Sequence, residues 1–405
     1  MVWGAGSWLA RPSFGGSGDA TLENDSPGLK GERAMRPRSW VIMIVLLVIS
    51  ACGESEPQFV GTAHVLRVLE GIETQQAEAV ERLAALEASV AGGGSAPMSD
   101  ASSPEEVAEP ARAIAVETTV AFTEGPTVAE DGSVYFTDLG NNRIMRWSTD
   151  GQLSTYRQPS NRANGLIFDA QWRLLACEGG DGETALPRIT RTDMATGAVE
   201  VLADAYEGKQ LHQPNDLTFD AQGRIYFTDR PGPNPQPEQT GVHGVYRIDP
   251  DGTITRILTE PEVLRPNGIV ISPDDSTLYV IETEQSEGGP RLIRAYDLSA
   301  EGTVSNMRVF HDFHPGRSGD GMTIDSAGNL YVAAGLNRLR GTSETLDTIA
   351  GIHVFSPTGE LLEHIPIPED SITNAAFGGP DLQTLYVTAG KTLFSLRTDI
   401  QGTRR

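Results

Sequence analysis

The chain has 405 residues and carries 55 acidic against 31 basic side chains, a formal net charge of −24. An excess of that size repels nucleic-acid phosphates and anionic headgroups, which excludes nucleic-acid binding and electrostatic docking on an anionic bilayer. Its 44 glycines and 25 prolines suit a turn-rich domain, and the length accommodates one large domain with an appended stalk.

Residues 1–34 read as an over-extended start or a disordered lead, because a self-contained pattern opens at Met35. There Met35-Arg36-Pro37-Arg38 precedes the apolar run Trp40 to Ile49 and then Ser50-Ala51-Cys52, the basic start, short hydrophobic core and small-residue site of an export signal. The run is shorter than the ~20 residues that span a bilayer. Ile49-Ser50-Ala51-Cys52 resembles a bacterial lipobox, so residues 35–52 are expected to direct export and leave Cys52 as a lipidated N-terminus. That places the protein on a membrane, on the periplasmic or outer-membrane side of a bacterial envelope. Cys177 is then the one cysteine left, and no intrachain disulfide is available.

Residues 58–91 predict a helix. Val65, Leu69, Ile72, Gln76, Ala79, Leu83, Leu86 and Val90 alternate spacings of four and three, the seam of a left-handed coiled coil. At about 1.5 Å per residue the helix reaches roughly 40 Å. Residues 65–90 are expected to associate with copies of themselves, giving a homo-oligomer, or with another helix; Gln76 and Ala79 weaken the seam, which leaves a single solvated helix as the alternative. Residues 92–112, rich in Gly, Ser, Ala and Pro, read as a flexible linker.

From residue 113 to 398 one phrase recurs six times. A short polar residue precedes an apolar strand, and a second strand follows about a dozen residues on. The anchors are Glu124, Asn164, Asn215, Asn267, Asp320 and Asn374, spaced by 40, 51, 52, 53 and 54 residues. That period belongs to propeller blades, and six units predict an all-β, six-bladed β-propeller behind a signal segment and a helical coiled-coil stalk. The second strands hold Tyr135-Phe136, Tyr226-Phe227, Tyr279-Val280, Tyr331-Val332 and Tyr386-Val387. The chain ends within a few residues of Leu396, so the run Ile114 to Phe122 is expected to supply the outermost strand of the sixth blade and leave no open edge.

In a propeller the first strand of each blade lines the central channel, so the anchors should ring one mouth of it. The second strands should return Asp138, Glu178, Asp229 and Glu282 to the same mouth. Carboxylates and amides gathered there, with no Lys or Arg in the same register, imply a bound cation, because burying them uncompensated is costly. Glu124 and Asp320 offer carboxylate oxygens, Asn215 and Asn267 amide oxygens. Without thiolate or imidazole that set suits a hard ion such as Ca²⁺ better than Zn²⁺, with Mg²⁺ and Mn²⁺ open.

The phrases Glu124-Gly125-Pro126, Arg162-Ala163-Asn164-Gly165-Leu166, Pro214-Asn215-Asp216-Leu217, Arg265-Pro266-Asn267-Gly268 and Asp320-Gly321-Met322 resemble the family of senescence marker protein, gluconolactonase and luciferin-regenerating enzyme. The resemblance covers residues 113 to 398. It implies a six-bladed propeller with one divalent metal at the channel mouth, hydrolysing lactones or related esters. By position Glu124, Asn267 and Asp320 match the family's metal ligands, and Asn215 a residue that binds metal or substrate. Where some sugar-lactonase members place Arg two residues before the third anchor this chain has Gln213, which leaves the preference for a sugar lactone open.

Hydrolysis needs a polarised carbonyl, a water and a proton acceptor. Asp320 is the candidate base and Asp229 the alternative; Asn215 can donate to a developing oxyanion. Asn164, Asn215, Gln213 and Asp229 are candidates to contact a small lactone or ester substrate. His212, His311 and His314 are weaker candidates for a proton shuttle, and the Pro-rich stretch from Arg230 to Gly244 for a lid. No Gly-X-Ser-X-Gly elbow occurs, and Cys177 has no evident catalytic partner, which disfavours a serine or cysteine nucleophile. An organophosphate-type esterase on the same site and a non-catalytic ligand-binding propeller remain the alternatives.

Overall fold

The computed structural model describes residues 112–180, 185–232 and 236–404. The signal segment, Cys52, the heptad helix and most of the linker lie outside the described residues. Those described form six four-stranded antiparallel sheets, each running in sequence order from the innermost strand outward except at the closure. The innermost strands are Thr123–Val128, Ala163–Phe168, Pro214–Phe219, Pro266–Ile271, Gly319–Ile324 and Ile372–Gly378, and they open blades 1 to 6. The fold is the six-bladed propeller that the repeat predicts.

The second strands explain why the blades stack. Val134–Asp138 and Ile225–Asp229 are buried at every position, so both faces pack on neighbours, and their sequences are near-continuous apolar and aromatic runs. The core lies between blades. Leu175, Cys177 and Ile189 of blade 2 interleave with Leu217, Phe219 and Phe227 of blade 3, and Tyr135 and Ile144 of blade 1 with Leu166 and Phe168 of blade 2. Each such side chain contributes about 1.5–3 kcal/mol by leaving water. Cys177 is fully buried within one of these clusters, and burial pushes its thiol well above its ordinary pKa, so it is a packing residue and no nucleophile.

Closure follows the expectation with a shorter strand. Ile114–Thr119 pairs antiparallel with Thr392–Arg397, Ile114 opposite Leu396 and Thr119 opposite Thr392, and completes blade 6. The strand stops before Phe122, whose N–H already donates to Asp138 Oδ1 at 3.1 Å on the way into blade 1. Arg112 reinforces the join by ion pairs to Glu363 at 2.7 Å and Asp399 at 2.8 Å.

Register is where the fold prepares the site. The pairing of every innermost strand with its neighbour slips in the anchor region: between Glu124 and Thr127, Ala163 and Leu166, Pro214 and Leu217, Pro266 and Ile269, Gly319 and Met322, and Ile372 and Asn374. A bulge turns the strand locally and re-aims its side chain, here at the same level in all six blades.

Removing residues 112–119 should expose the Thr392–Arg397 edge and the apolar faces of Phe394 and Leu396. The truncated protein is expected to lose its cooperative melt or to aggregate; a soluble truncation melting within a few degrees of the full chain would show that blade 6 closes without this strand.

Candidate functional site

The anchors converge because the residue after each is glycine in four blades and alanine in a fifth, where the strands crowd. A Cβ on Gly321 would lie 2.1 Å from Cγ of Asn374, and one on Gly165 would lie 2.6 Å from Oδ1 of Asp216. Only blades 3 and 6, which oppose each other in the ring, depart from glycine at this place, with Asp216 and Ala375. Asp216 Oδ1 accepts the Leu217 N–H at 2.9 Å and Oδ2 accepts Asn374 Nδ2 at 3.2 Å, linking opposite sides of the channel. Asp216 is a site residue that the anchor register passes over; the break in the Gly pattern at Asn215-Asp216 is the signal that marks it.

Beside it stand three of the expected ligands. Asn267 Nδ2 donates to Asp320 Oδ1, and the buried Arg317 donates through Nη2 to Asp320 Oδ2 at 2.6 Å while its Nη1 reaches Ile372 O at 3.1 Å. Glu124, 6% exposed, accepts its own neighbour Gly125 N–H on Oε2 at 3.0 Å, and its other oxygen makes no hydrogen bond among the described residues. Burial, then repulsion from Asp320 and Asp216, holds the Glu124 pKa well above the carboxylate range. Burial raises Asp216 to about 7, against the opposing pull of Leu217 and Asn374.

The remaining candidates divide. Asn164, Gln213 and Asn215 share a cavity of about 160 Å³ with Leu139, Arg162, Gly179, Pro214 and Arg230. Asn215 is 4% exposed, and its amide makes no hydrogen bond among the described residues. Asp229 is not on the wall. Its fully buried carboxylate accepts the backbone N–H of Gln213 at 2.7 Å and of His212 at 3.0 Å, and burial raises it to about 6. Asp229 therefore holds the loop that feeds blade 3, which corrects its assignment as a substrate contact or alternative base.

The same correction applies to the other returning carboxylates. Asp138 takes Arg143 and Phe122 N–H, Glu178 takes Arg157 and Arg188, and Glu282 takes Arg294 and the N–H groups of Leu264 and Arg265. All are fully buried and spent on internal partners. Nor is the mouth free of cations: Arg162, Arg265 and Arg317 sit two or three residues ahead of their anchors, and Arg230 directly follows Asp229. Among the histidines, His311 packs on Phe313 and Phe355, and burial lowers its pKa. His212 accepts the Gly232 N–H on Nδ1 at 3.0 Å. Part of the Pro-rich stretch is tied down, since Thr240 N–H donates to Gln210 O at 2.9 Å.

Among the described residues no three carboxylate, imidazole or thiolate side chains are grouped as a metal site groups them. A cation would therefore depend on the amide oxygen of Asn267 beside Glu124 and Asp320. The donor set fits a hard ion: it is all oxygen, one Glu124 oxygen makes no hydrogen bond among the described residues, and three mutually repelling acids, Glu124, Asp216 and Asp320, lack full compensation.

The sequence matches the family described as the SMP-30/Gluconolactonase/LRE-like region over residues 122–391. The chain belongs to this family. A gluconolactonase of Zymomonas mobilis is 28% identical over 324 residues, 73% of this chain and 83% of the relative. A pentonolactonase of Haloferax volcanii is 32% identical over 277 residues, 67% of this chain and 83% of the relative. Among solved structures, a gluconolactonase from Xanthomonas campestris superposes with a TM-score of 0.59 at 31% identity, covering 71% of this chain and 89% of that one.

The raised carboxylates fix the sign of a pH dependence. The unfolded chain releases the Asp216 proton near pH 3.8 and the folded chain near 7, so stability present below 3.8 is lost as pH rises through that window. Chelator-treated protein should lose stability between pH 4 and 7, by up to about 4 kcal/mol for Asp216 alone, read as a falling melting temperature. Asp216→Asn should flatten that slope, and added divalent cation should reverse it; a melting temperature that rises across the window would contradict the burial of these acids.

Proposed function

We infer that this chain is a hydrolase of lactones or closely related esters, dependent on one divalent cation. The observation that carries the reading is the pair of Glu124 and Asp320 with Asn267 at the channel mouth, next to a cavity walled by the amides of Asn164, Gln213 and Asn215. Membership in a family whose relatives include a gluconolactonase and a pentonolactonase supports it.

Glu124, Asn267 and Asp320 would hold the cation, Ca²⁺ before Zn²⁺, Mg²⁺ or Mn²⁺, and such an ion polarises the carbonyl oxygen of a bound lactone. The chain's own groups supply the rest. Asp320 is oriented by Arg317 on one oxygen and Asn267 on the other, so its carboxylate is held in one rotamer. From there it accepts a proton from water as that water's oxygen bonds to the carbonyl carbon. The ring C–O bond then breaks, and the proton passes to the leaving alkoxide to give the hydroxy acid. Asn215, buried with its amide unengaged, donates to the oxyanion that develops at the carbonyl. Asn164 and Gln213 face substrate hydroxyl or ring oxygens from the cavity wall.

The test is metal-dependent turnover by the full-length protein, stripped with chelator and assayed on sugar, aliphatic and aromatic lactones and a phosphotriester as Ca²⁺, Zn²⁺, Mg²⁺ or Mn²⁺ is restored. Activity should return with one metal, disappear in Glu124→Gln, and fall about 10²–10⁴-fold in Asp320→Asn, the range of a lost general base. Metal binding without hydrolysis of any panel member would favour a ligand-binding propeller, and full turnover in metal-loaded Asp320→Asn would move the base elsewhere.

The cellular setting is a second proposal. Residues 35–52 support export with lipidation at Cys52, and the heptad of 65–90 supports self-association of a stalk. Cys52→Ser should shift the protein from the membrane fraction to the soluble one; a protein retained on membranes by Cys52→Ser would point to a different anchor.

A further inference from the structure

The cavity at Asn215 has an unusual charge inventory. Among the described residues its walls carry two guanidinium groups, Arg162 and Arg230, three amides and no carboxylate. Arg230 is half-buried, and among the described residues neither its side chain nor that of Arg162 makes a hydrogen bond or ion pair. Elsewhere the chain pairs its arginines heavily: Arg143, Arg157, Arg188, Arg224, Arg294 and Arg317 all face a carboxylate within 3 Å. With Arg265, whose side chain is likewise unpartnered among the described residues, the exposed Arg162 and the half-buried Arg230 are therefore a local exception in a chain of net charge −24.

Backbone conformation shows that the exception is built. Asn161 and Arg162 are consecutive residues with φ of 57° and 54°, a left-handed conformation that non-glycine residues avoid. Fixed contacts hold it: Arg162 N–H donates to Asn142 Oδ1 at 2.7 Å, and Asn161 Nδ2 donates to the buried Glu178 at 3.1 Å. Strain retained by surrounding contacts is a feature of functional loops, and here it carries Arg162 to the cavity wall. On the other side Asp229 fixes the start of the loop that carries Arg230. Burial lowers the Arg230 pKa, against the attraction of Asp320 and Glu124 and with added repulsion from Arg265, so this guanidinium is desolvated close to the acids of the mouth without an ion pair to either.

We propose that this cavity is an anion subsite, and that the lactone or ester hydrolysed here carries a phosphate, sulfonate or carboxylate held by Arg162 and Arg230. This rests on the hydrolase reading above and adds the substrate's charge to it. The buried Asn215 amide, unengaged among the described residues, lines the same cavity as the guanidiniums, and Arg230 is close enough to Asp320 to feel its charge, so one substrate would reach both. At about 160 Å³ the cavity admits a small anionic head and not a whole sugar ring with it. Planar guanidiniums bind such oxyanions through paired charge-assisted hydrogen bonds.

Two measurements test it on the full-length, metal-loaded protein. Calorimetric titration with gluconate and with its 6-phosphate should show the phosphate binding at least about tenfold tighter. Arg230→Gln should abolish that preference and Arg230→Lys retain part of it; Arg162→Gln is the second variant if Arg230→Gln fails to fold. In turnover, the ratio of kcat/KM for phosphorylated over neutral gluconolactone should exceed ten in the wild type and fall toward one in the glutamine variants, through KM. Equal binding of the two acids, or a preference that survives both glutamine variants, overturns the subsite. Neutral lactone cleaved without anion preference defeats the subsite and leaves the hydrolase standing. Anion preference in binding with no lactone cleaved defeats the hydrolase and leaves the subsite standing.

Discussion

Crowding of six backbone strands around one axis is the constraint on which this molecule depends. Where they come closest there is no room for a side chain between neighbours: a Cβ on Gly125 would lie 2.2 Å from Asn164 O, and one on Gly268 would lie 2.7 Å from Asp320 O. The residue before each such position cannot pack sideways, so its side chain turns into the channel, and the register slip in that region relieves the ladder hydrogen bonds that the turn would break. Polar anchors at this level are thus a product of packing geometry first. Closure by Ile114–Thr119 fixes the ring circumference and with it the spacing of the anchors.

Two populations of buried carboxylate share that face of the disc, and their partners separate structure from chemistry. Asp138, Glu178 and Glu282 are fully buried and each is met by at least one arginine, with backbone N–H groups of the incoming loop at Asp138 and Glu282. Their charge is compensated, and their effect is to fix where each innermost strand begins. Glu124 and Asp216 are also buried, without an ion pair to a guanidinium among the described residues, and burial pushes both carboxyls up from the ordinary carboxylate range. Charge left uncompensated by the fold is what a cation can complete, whereas a paired carboxylate has no further oxygen to give.

The blade count, the six anchors and the closing strand were legible in the sequence because each is a local pattern repeated at a fixed period. Asp216 was not, because the register was read on the preceding residue, and its significance depends on Asn374, which lies 158 residues away and across the channel. Arg317 and Arg230 were missed for a related reason: they lie off the anchor register, on loops whose paths no periodicity specifies. Asp229 was misassigned because a carboxylate at a strand end looks the same in sequence whether it faces a channel or accepts the amides of the loop beside it, as it does here from His212 and Gln213.

Net charge misleads about the mouth for a physical reason. Solvent and salt screen exposed charges beyond roughly 8–10 Å, so most of the acidic surface is invisible from within the channel. What a ligand meets there is set by the few groups lining its path: acids and an amide at Glu124, Asp320 and Asn267, and the guanidiniums of Arg162 and Arg230, of which Arg230 lies within electrostatic reach of Glu124 and Asp320. A dipolar arrangement of that kind orients a molecule as well as attracting it. An electron-rich carbonyl is drawn to the cation side only if the opposite end of the molecule can settle among guanidiniums and amides. On the proposed reading, the acids that a cation would complete and the arginines without an ion pair among the described residues act on one ligand, whose carbonyl would then lie toward Asp320.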